Sequence, residues 1–210
     1  ANPGGVTATG SSSPITVTGL TNGVTYTFTV TAVNSAGTGA ASAASNSITP
    51  AAMQTITFIN PGAQNFGTNP TLSATSDASL TPTFSSSTTG VCTITNSGTL
   101  TFVGVGTCTI IAQQAGNSSY LPAEVSRSFT VNPVVPGVPA IGTATAGDGQ
   151  ASVTFTAPTA TGGSTITGYT VTSNPGGITA SGAGSPIVVS GLTNGQPYTF
   201  TVMAINAVGT

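Results

Sequence analysis

A 37-residue segment occurs twice in this chain, and this repeat constrains the fold more than any other feature. Residues 2–38 align without a gap onto residues 174–210, and 25 of the 37 positions are identical. The offset between the copies is 172 residues (174 − 2). Repetition at a fixed offset is typical of tandem arrays of one structural unit. The chain is therefore predicted to be a run of related modules, with a single duplication as the alternative.

Apolar and polar residues alternate along both copies. In the first copy Tyr26, Phe28, Val30 and Ala32 are separated by threonines, and residues 198–204 repeat the apolar half of this pattern. A period of two places successive side chains on opposite faces of a β-strand. The pattern predicts strands with one buried face and one face exposed to solvent.

Similar alternation, interrupted by turns such as Asn22-Gly23 and Asn194-Gly195, continues through the rest of the chain. Glycine and asparagine take up the positive φ that tight turns need. Strands are expected near residues 13–18, 24–33, 40–48, 54–59, 70–75, 82–86, 91–95, 99–103, 107–113, 125–132, 140–146, 150–156, 165–173, 186–190 and 197–205. Since 66 of the 210 residues are serine or threonine and 28 are glycine, we expect no substantial helix and an all-β fold class.

Charged residues make up only 2% of the chain, which has no histidine. The charges are Asp77, Glu124, Arg127 and Asp148. Isolated carboxylates and hydroxyls without a neighbouring base do not support acid–base or nucleophilic catalysis. We therefore expect no enzyme, no cofactor and no metal site, because calcium needs several carboxylates and zinc needs more than two thiols. A single arginine also excludes nucleic acid as a partner.

Apolar residues make up 38% of the chain, which is enough to build a core, so the low complexity does not indicate disorder. No stretch approaches the roughly 20 continuous apolar residues of a membrane span. We expect no such span in this segment.

Cys92 and Cys108 are the only cysteines, and the alternation places both on the inner face of their strands. A disulfide across this loop would stabilise the fold by about 3 kcal/mol in the chain-entropy model. Two buried free thiols are the alternative. The uncharged, hydroxyl-rich composition is typical of proteins outside the cytoplasm, where disulfides persist, and favours the bridge.

Residues 138–210 contain the segments ASVTFTAP, ITGYTVTSNPGG and SGLTNGQPYTFTVMAINAVGT, which together resemble a fibronectin type III domain. The spacing from Leu192 to Tyr198, which recurs from Leu20 to Tyr26, is similar to the corner motif of that family. The resemblance implies that each tyrosine hydroxyl bonds to nearby backbone. Phe155 stands where many members have tryptophan, a change in how the core is filled.

Residues 54–132 contain QTITF, FGTNPTLSATS, VCTITNSGTLTFVGVGTCTI, QAGNSSYLPA and SRSFTV, which resemble a bacterial immunoglobulin-like (Big-type) domain of large surface proteins. The two resemblances imply tandem immunoglobulin-like β-sandwiches. Residues 1–50 would be the C-terminal part of a fibronectin type III domain, residues 51–133 the bacterial immunoglobulin-like domain, and residues 134–210 a fibronectin type III domain without its last strand. We expect the chain to be a window on a longer one, and strand exchange between subunits is the alternative.

The surface chemistry predicts a function. A surface of threonine, serine, asparagine and alanine has little charge to desolvate on contact, and net charge near zero promotes association. Edge strands without lysine are open to further pairing. We expect a segment of a giant repetitive extracellular or cell-surface protein that forms a fibre, stalk or filament with copies of itself.

Two alternatives stay open. The segment could be a passive spacer of an adhesin or secreted enzyme, or a module that binds surface glycans or another lattice through its loops and threonine faces. Exposed aromatic side chains would favour glycan binding. Phe66 and Tyr120 are the two aromatic residues whose placement the alternation does not decide.

Overall fold

A computed structural model describes residues 1–210, which form β-strands and no helix. The strands are β1 Val33–Asn34, β2 Gly37–Thr38, β3 Ile56–Phe58, β4 Gln64–Asn65, β5 Ala74–Ser76, β6 Thr83–Ser86, β7 Cys92–Ile94, β8 Leu100–Phe102, β9 Gly106–Gln114, β10 Ala123–Asn132, β11 Ala140–Gly147, β12 Gln150–Thr156, β13 Gly168–Asn174, β14 Thr179–Gly182, β15 Ile187–Ser190 and β16 Thr199–Ile205. The all-β prediction is confirmed.

The chain divides into two compact units. The first contains residues 1–59, 73–84 and 111–126, and the second contains residues 60–72, 85–110 and 127–210. The module boundaries expected at residues 50 and 133 stay a prediction.

Two three-stranded antiparallel sheets in the second unit form a sandwich from residue 140 onward, in the orders β11-β12-β15 and β14-β13-β16. Alternate residues of β12 are buried, as the period of two predicts. Their partners on β13, β15 and β16 complete one apolar cluster, in which the rings of Phe155 and Tyr169 lie 4.6 Å apart. Strand β16 is an edge strand of its sheet.

A second core in the same unit is built around the β7–β8 hairpin. Cys92 pairs with Phe102, and Ile94 pairs with Leu100. Leu100 is fully buried, and the ring of Phe102 packs edge-on against that of Phe129 at 6.4 Å. The two longest strands, β9 and β10, are neighbours in a four-stranded sheet of order β4-β10-β9-β6.

The first unit contains a small antiparallel pair, β3 with β5, and an edge-on contact between Phe58 and Phe84 at 5.6 Å. The buried side chain of Gln54 is hydrogen-bonded at both ends. Its Nε2 donates to the carbonyl of Leu121, and its Oε1 accepts from the hydroxyl of Ser76, both at 2.7 Å. Because a buried amide is costly when unpaired, these bonds tie three segments of this unit together.

Residues 1–50 differ most from the sequence prediction. The structure has only the β1–β2 hairpin and isolated bridges there, and no regular strand at 13–18 or 40–48. Tyr26 is buried, but Val30 is 61% exposed and Ala32 is also exposed, so the expected buried face is wrong for this copy. In the second copy the matching face is covered by the sheet of β11, β12 and β15, and residues 1–50 have no counterpart of these strands.

Candidate assembly surface

Two of the three carboxylates accept hydrogen bonds from residues distant in the sequence. Asp77 Oδ1 accepts from the backbone N–H of Thr55 at 2.9 Å, and Asp148 Oδ1 accepts from Asn194 Nδ2 at 2.7 Å. Both carboxylates are exposed. No three histidine, cysteine, aspartate or glutamate residues lie together in the chain. Nor does the fold include a helix with the length and apolar character needed to cross a membrane.

The two cysteines are joined in a disulfide. Cys92 on β7 and Cys108 on β9 are both fully buried, and their Sγ atoms are 2.04 Å apart. The hydroxyls of Ser86 and Thr88 each lie 3.4 Å from Cys92 Sγ. Because the bridge joins two strands through the inner face, it belongs to the core of this region and leaves the surface free of thiol chemistry.

The tyrosine hydroxyls of the two corner segments have the same partner in both copies of the repeat. The hydroxyl of Tyr26 accepts from the backbone N–H of Thr21, and the hydroxyl of Tyr198 accepts from that of Thr193, each at 3.1 Å. Leu192 packs against the core of the last sandwich, and Leu20 is half-buried. Burial differs, since Tyr26 is 5% exposed while Tyr198 is only half-buried.

Phe66 and Tyr120 are both half-buried against backbone. A Cβ atom added to Gly163 would lie only 2.8 Å from the ring of Phe66, so this ring packs directly on a glycine. Tyr120 pairs with Ala52 in a parallel bridge, and its carbonyl accepts from the N–H of Asn117 at 2.9 Å. Each residue keeps part of its surface exposed, so glycan binding through Phe66 or Tyr120 stays an alternative.

The edge of the first copy is covered by the segment of residues 39–48, which we call the serine segment. Along the covered edge the paired residues are spaced by two, while along the serine segment they are spaced by three. Ile48, Ser45, Ser42 and Gly39 donate their N–H groups to the carbonyls of Tyr26, Phe28, Val30 and Ala32, at 2.8 to 2.9 Å. Two residues of the serine segment thus oppose one on the edge, which is the definition of a β-bulge, here repeated along the strand.

Two serine hydroxyls complete this pairing. Ser45 Oγ accepts from the N–H of Phe28 at 3.0 Å and donates to the carbonyl of Asn46 at 2.7 Å. Ser42 Oγ does the same, accepting from Val30 at 3.0 Å and donating to Ala43 at 2.8 Å. The extra residue in each bulge moves the backbone carbonyl out of reach, and the hydroxyl bridges the gap. Each serine therefore bonds one edge residue with both its backbone and its side chain.

The period of two that predicts the strands does not single out these serines. Residues 40–45 read Ala-Ala-Ser-Ala-Ala-Ser, and this period of three marks them. Because a period of three does not fit an ordinary strand, the regular strand predicted at residues 40–48 is an irregular, bulged segment instead.

The second copy repeats this edge within residues 174–210, which align with residues 2–38 and so stop short of the serine segment. The sequence Tyr-Thr-Phe-Thr-Val recurs at residues 198–202, and β16 pairs only with β13 on its inner side. In the first copy Thr27 exchanges both backbone bonds with Asn2 at 2.9 Å, and Thr199 and Asn174 are the matching pair. By the alternation of an antiparallel ladder, the backbone groups of Phe200 and Val202 point away from β13.

A family match agrees with the β-sandwich of the last part of the chain. Residues 2–48 and 141–210 match the family described as Fibronectin type III domain. The chain is similar to the crystal structure of domains A168-A170 from titin, at 15% identity and a TM-score of 0.35, over 86% of this chain and 69% of that one. It is also similar to the crystal structure of chicken CNTN1 FN1-FN3 domains, at 16% identity and a TM-score of 0.31, over 92% and 74% of the two chains. No curated protein sequence matches it.

Proposed function

Because the chain belongs to the fibronectin type III family, we propose that it is a structural segment of a giant repetitive extracellular or cell-surface protein, and that copies of it associate into a fibre, stalk or filament. Tandem modules of this family are consistent with structural or adhesion roles and are typically non-catalytic. The disulfide between Cys92 and Cys108 fits an extracellular or surface protein.

The proposal rests mainly on a surface that exposes apolar side chains and almost no charge. Val33, Met53, Ile59 and Val138 are each more than 70% exposed, and the chain has one basic residue in all. Exposed apolar groups gain by leaving water, and little charge has to be desolvated when two such surfaces meet. Self-association of this surface therefore carries a low desolvation penalty.

The same proposal assigns residues 51–133 to a bacterial immunoglobulin-like module and places the protein on a bacterial surface. Support for this comes from the residues of the resemblance and from the disulfide-bonded β-core that they form. The proposal also includes the absence of catalysis and of any cofactor. It draws support from Asp77 and Asp148, because each carboxylate accepts a hydrogen bond from a residue distant in the sequence.

Sedimentation velocity of the purified chain over a concentration series tests the proposed association. We expect the weight-average sedimentation coefficient to rise with concentration. The double variant Ile59→Lys/Val138→Lys places two like charges on exposed apolar positions and should lower the association. Ile59→Thr/Val138→Thr is the matched control, because it keeps the β-branched shape without adding charge. A strictly monomeric chain at high concentration would contradict self-association.

A further inference from the structure

An open groove lies in the second compact unit, beside the side chain of Phe66. Its volume is about 600 Å³, and small-molecule sites in proteins commonly measure about 300–1,000 Å³. One wall is the turn after β8, at Val103 and Gly104, and the opposite wall belongs to the segment of residues 157–166 between β12 and β13. The groove is therefore large enough for a small ligand.

Backbone hydrogen bonds fix both walls of this groove. The N–H groups of Val103 and Gly104 both donate to the carbonyl of Val91, at 2.9 and 3.1 Å. On the opposite wall, the carbonyl of Gly162 accepts from the N–H of Val134 at 2.9 Å. A ligand that enters a site with fixed walls has little chain to order, which favours binding.

Phe66 gives the groove an aromatic surface. Its N–H donates to the carbonyl of Asn132 at 2.9 Å, and its ring packs against Gly163, which has no side chain in the way. Phe66 stays half-exposed and lines the groove. Val103 and Ile166 extend the apolar surface beside it. An apolar face of a ligand can therefore be covered here.

Three hydroxyl side chains line the same groove, those of Thr161, Ser164 and Thr165. None of these hydroxyls has a hydrogen-bond partner within the protein. Other hydroxyls of the chain bond each other, as those of Thr109 and Ser128 do at 2.8 Å. Because a hydroxyl both donates and accepts, the three in the groove are available to bond the hydroxyls of a ligand.

The chemistry of the lining selects one class of ligand. No charged residue lines the groove, so an ionic ligand would lose hydration without gaining an opposite charge. A wholly apolar ligand would cover the three hydroxyls and leave them unpaired. A sugar ring has an apolar face of C–H groups and hydroxyls around its rim, so it suits both kinds of surface.

We propose that this groove binds a neutral oligosaccharide. One sugar ring stacks on Phe66, and its hydroxyls exchange hydrogen bonds with Thr161, Ser164 and Thr165. The proposal goes beyond self-association and does not rest on it. None of the exposed apolar residues that support self-association, namely Val33, Met53, Ile59 and Val138, lines the groove.

The experiment titrates the 210-residue chain with three neutral probes, cellopentaose, maltopentaose and N-acetylchitopentaose, and follows the amide NMR spectrum. At millimolar sugar, the signals of Gly104, Gly163, Ser164 and Thr165 should shift with at least one probe. The affinity should hardly change with salt concentration, because the ligand and the groove are uncharged. The site is overturned if no probe shifts these signals, or if the shifts lie around Tyr120 instead. A strong salt dependence would overturn the neutral ligand.

Variants of the chain test which side chains bind the sugar. Thr161→Val/Thr165→Val keeps the β-branched shape, removes two hydroxyls and should weaken binding about tenfold. Thr57→Val/Thr75→Val is the matched control, since this exposed pair lies on β3 and β5 of the first unit and should leave the affinity unchanged. Phe66→Ala should abolish detectable binding.

The threonine variants keep the test decisive if loss of the Phe66 ring disturbs the fold. The amide spectrum of each variant without sugar shows whether the sandwich is intact. Equal affinity of Thr161→Val/Thr165→Val and its control would overturn the hydrogen bonds assigned to the groove. Unchanged affinity of a folded Phe66→Ala chain would overturn stacking on this ring.

Discussion

The two copies of the 37-residue repeat have nearly the same sequence and bury different residues. Val30 is 61% exposed, whereas the matching Val202 is 6% exposed, and Ala32 is exposed where Ala204 is buried. The second copy lies in a sandwich with a facing sheet, which residues 1–50 do not have. Burial is therefore decided by what packs against a residue, because the residue's own sequence context is almost the same in both copies.

Local geometry, in contrast, is the same in both copies. The corner bonds from Tyr26 and Tyr198 are equally long, and Gly23 and Gly195 have φ values of 80° and 81°. Asn34 and Asn206 each accept a backbone N–H two residues later through Oδ1, at 2.9 and 2.8 Å. Short-range hydrogen bonds and turn conformations follow the local sequence, whichever surface the copy faces.

The largest difference in stability loss between the copies should come from placing a charge at the matching positions Val30 and Val202. Val202→Asp places an unpaired carboxylate in the sandwich core and should destabilise it by about 4 kcal/mol or more. Val30→Asp, on the exposed equivalent, should change stability by about 0.5 kcal/mol or less. Chemical denaturation followed by segment-resolved hydrogen exchange measures both. Equal effects at the two positions would contradict the difference in burial.

Removing the corner hydroxyl should give a smaller difference in stability loss between the two copies. Tyr26→Phe removes the acceptor for the N–H of Thr21 in a buried setting and should cost about 1 kcal/mol. Tyr198→Phe should cost less, because Tyr198 is only half-buried and water can replace the lost acceptor. Thermal unfolding of the two variants checks this order. A greater loss for Tyr198→Phe would show that the second corner is the better protected one.

The Asn-Gly turns give a finer comparison. Alanine at Gly23 or Gly195 is strained by the positive φ, at about 1 kcal/mol each. A Cβ at position 23 would also lie 3.0 Å from Ser119 Oγ, while at position 195 it meets nothing within 4 Å. Gly23→Ala should therefore be the more destabilising change and should speed hydrogen exchange near Ser119. Equal stability of the two variants would mean that Ser119 moves aside freely.

The smallest effect should come from pH. The chain has no histidine or lysine and three acidic residues, so almost nothing titrates between about pH 5 and 8. The melting temperature should hardly change over this range, and neither copy should be stabilised relative to the other. Scanning calorimetry at several pH values measures this. A strong dependence would point to an ionisable contact in the folded state.

Much of the last sandwich follows from the period of two. The period of two predicts strands near residues 150–156 and 197–205, which are close to the observed β12 and β16. The prediction succeeds there because a facing sheet buries the apolar residues of each strand. The short strands β4 and β14 were not expected. Strand β14 reads Thr-Ala-Ser-Gly, which has no large apolar residue to mark a face. Strand β4 has two polar residues and depends on its parallel partner β10.

Pattern and local chemistry by themselves determined the all-β class and the turn conformations at Gly23 and Gly195. These depend on residues within a few positions of one another, so the chain carries the information directly. The tertiary structure alone decided which of the matching positions Val30 and Val202 is buried, and that Ser42 and Ser45 bond an edge in a three-to-two register. Both outcomes depend on which distant segment lies alongside.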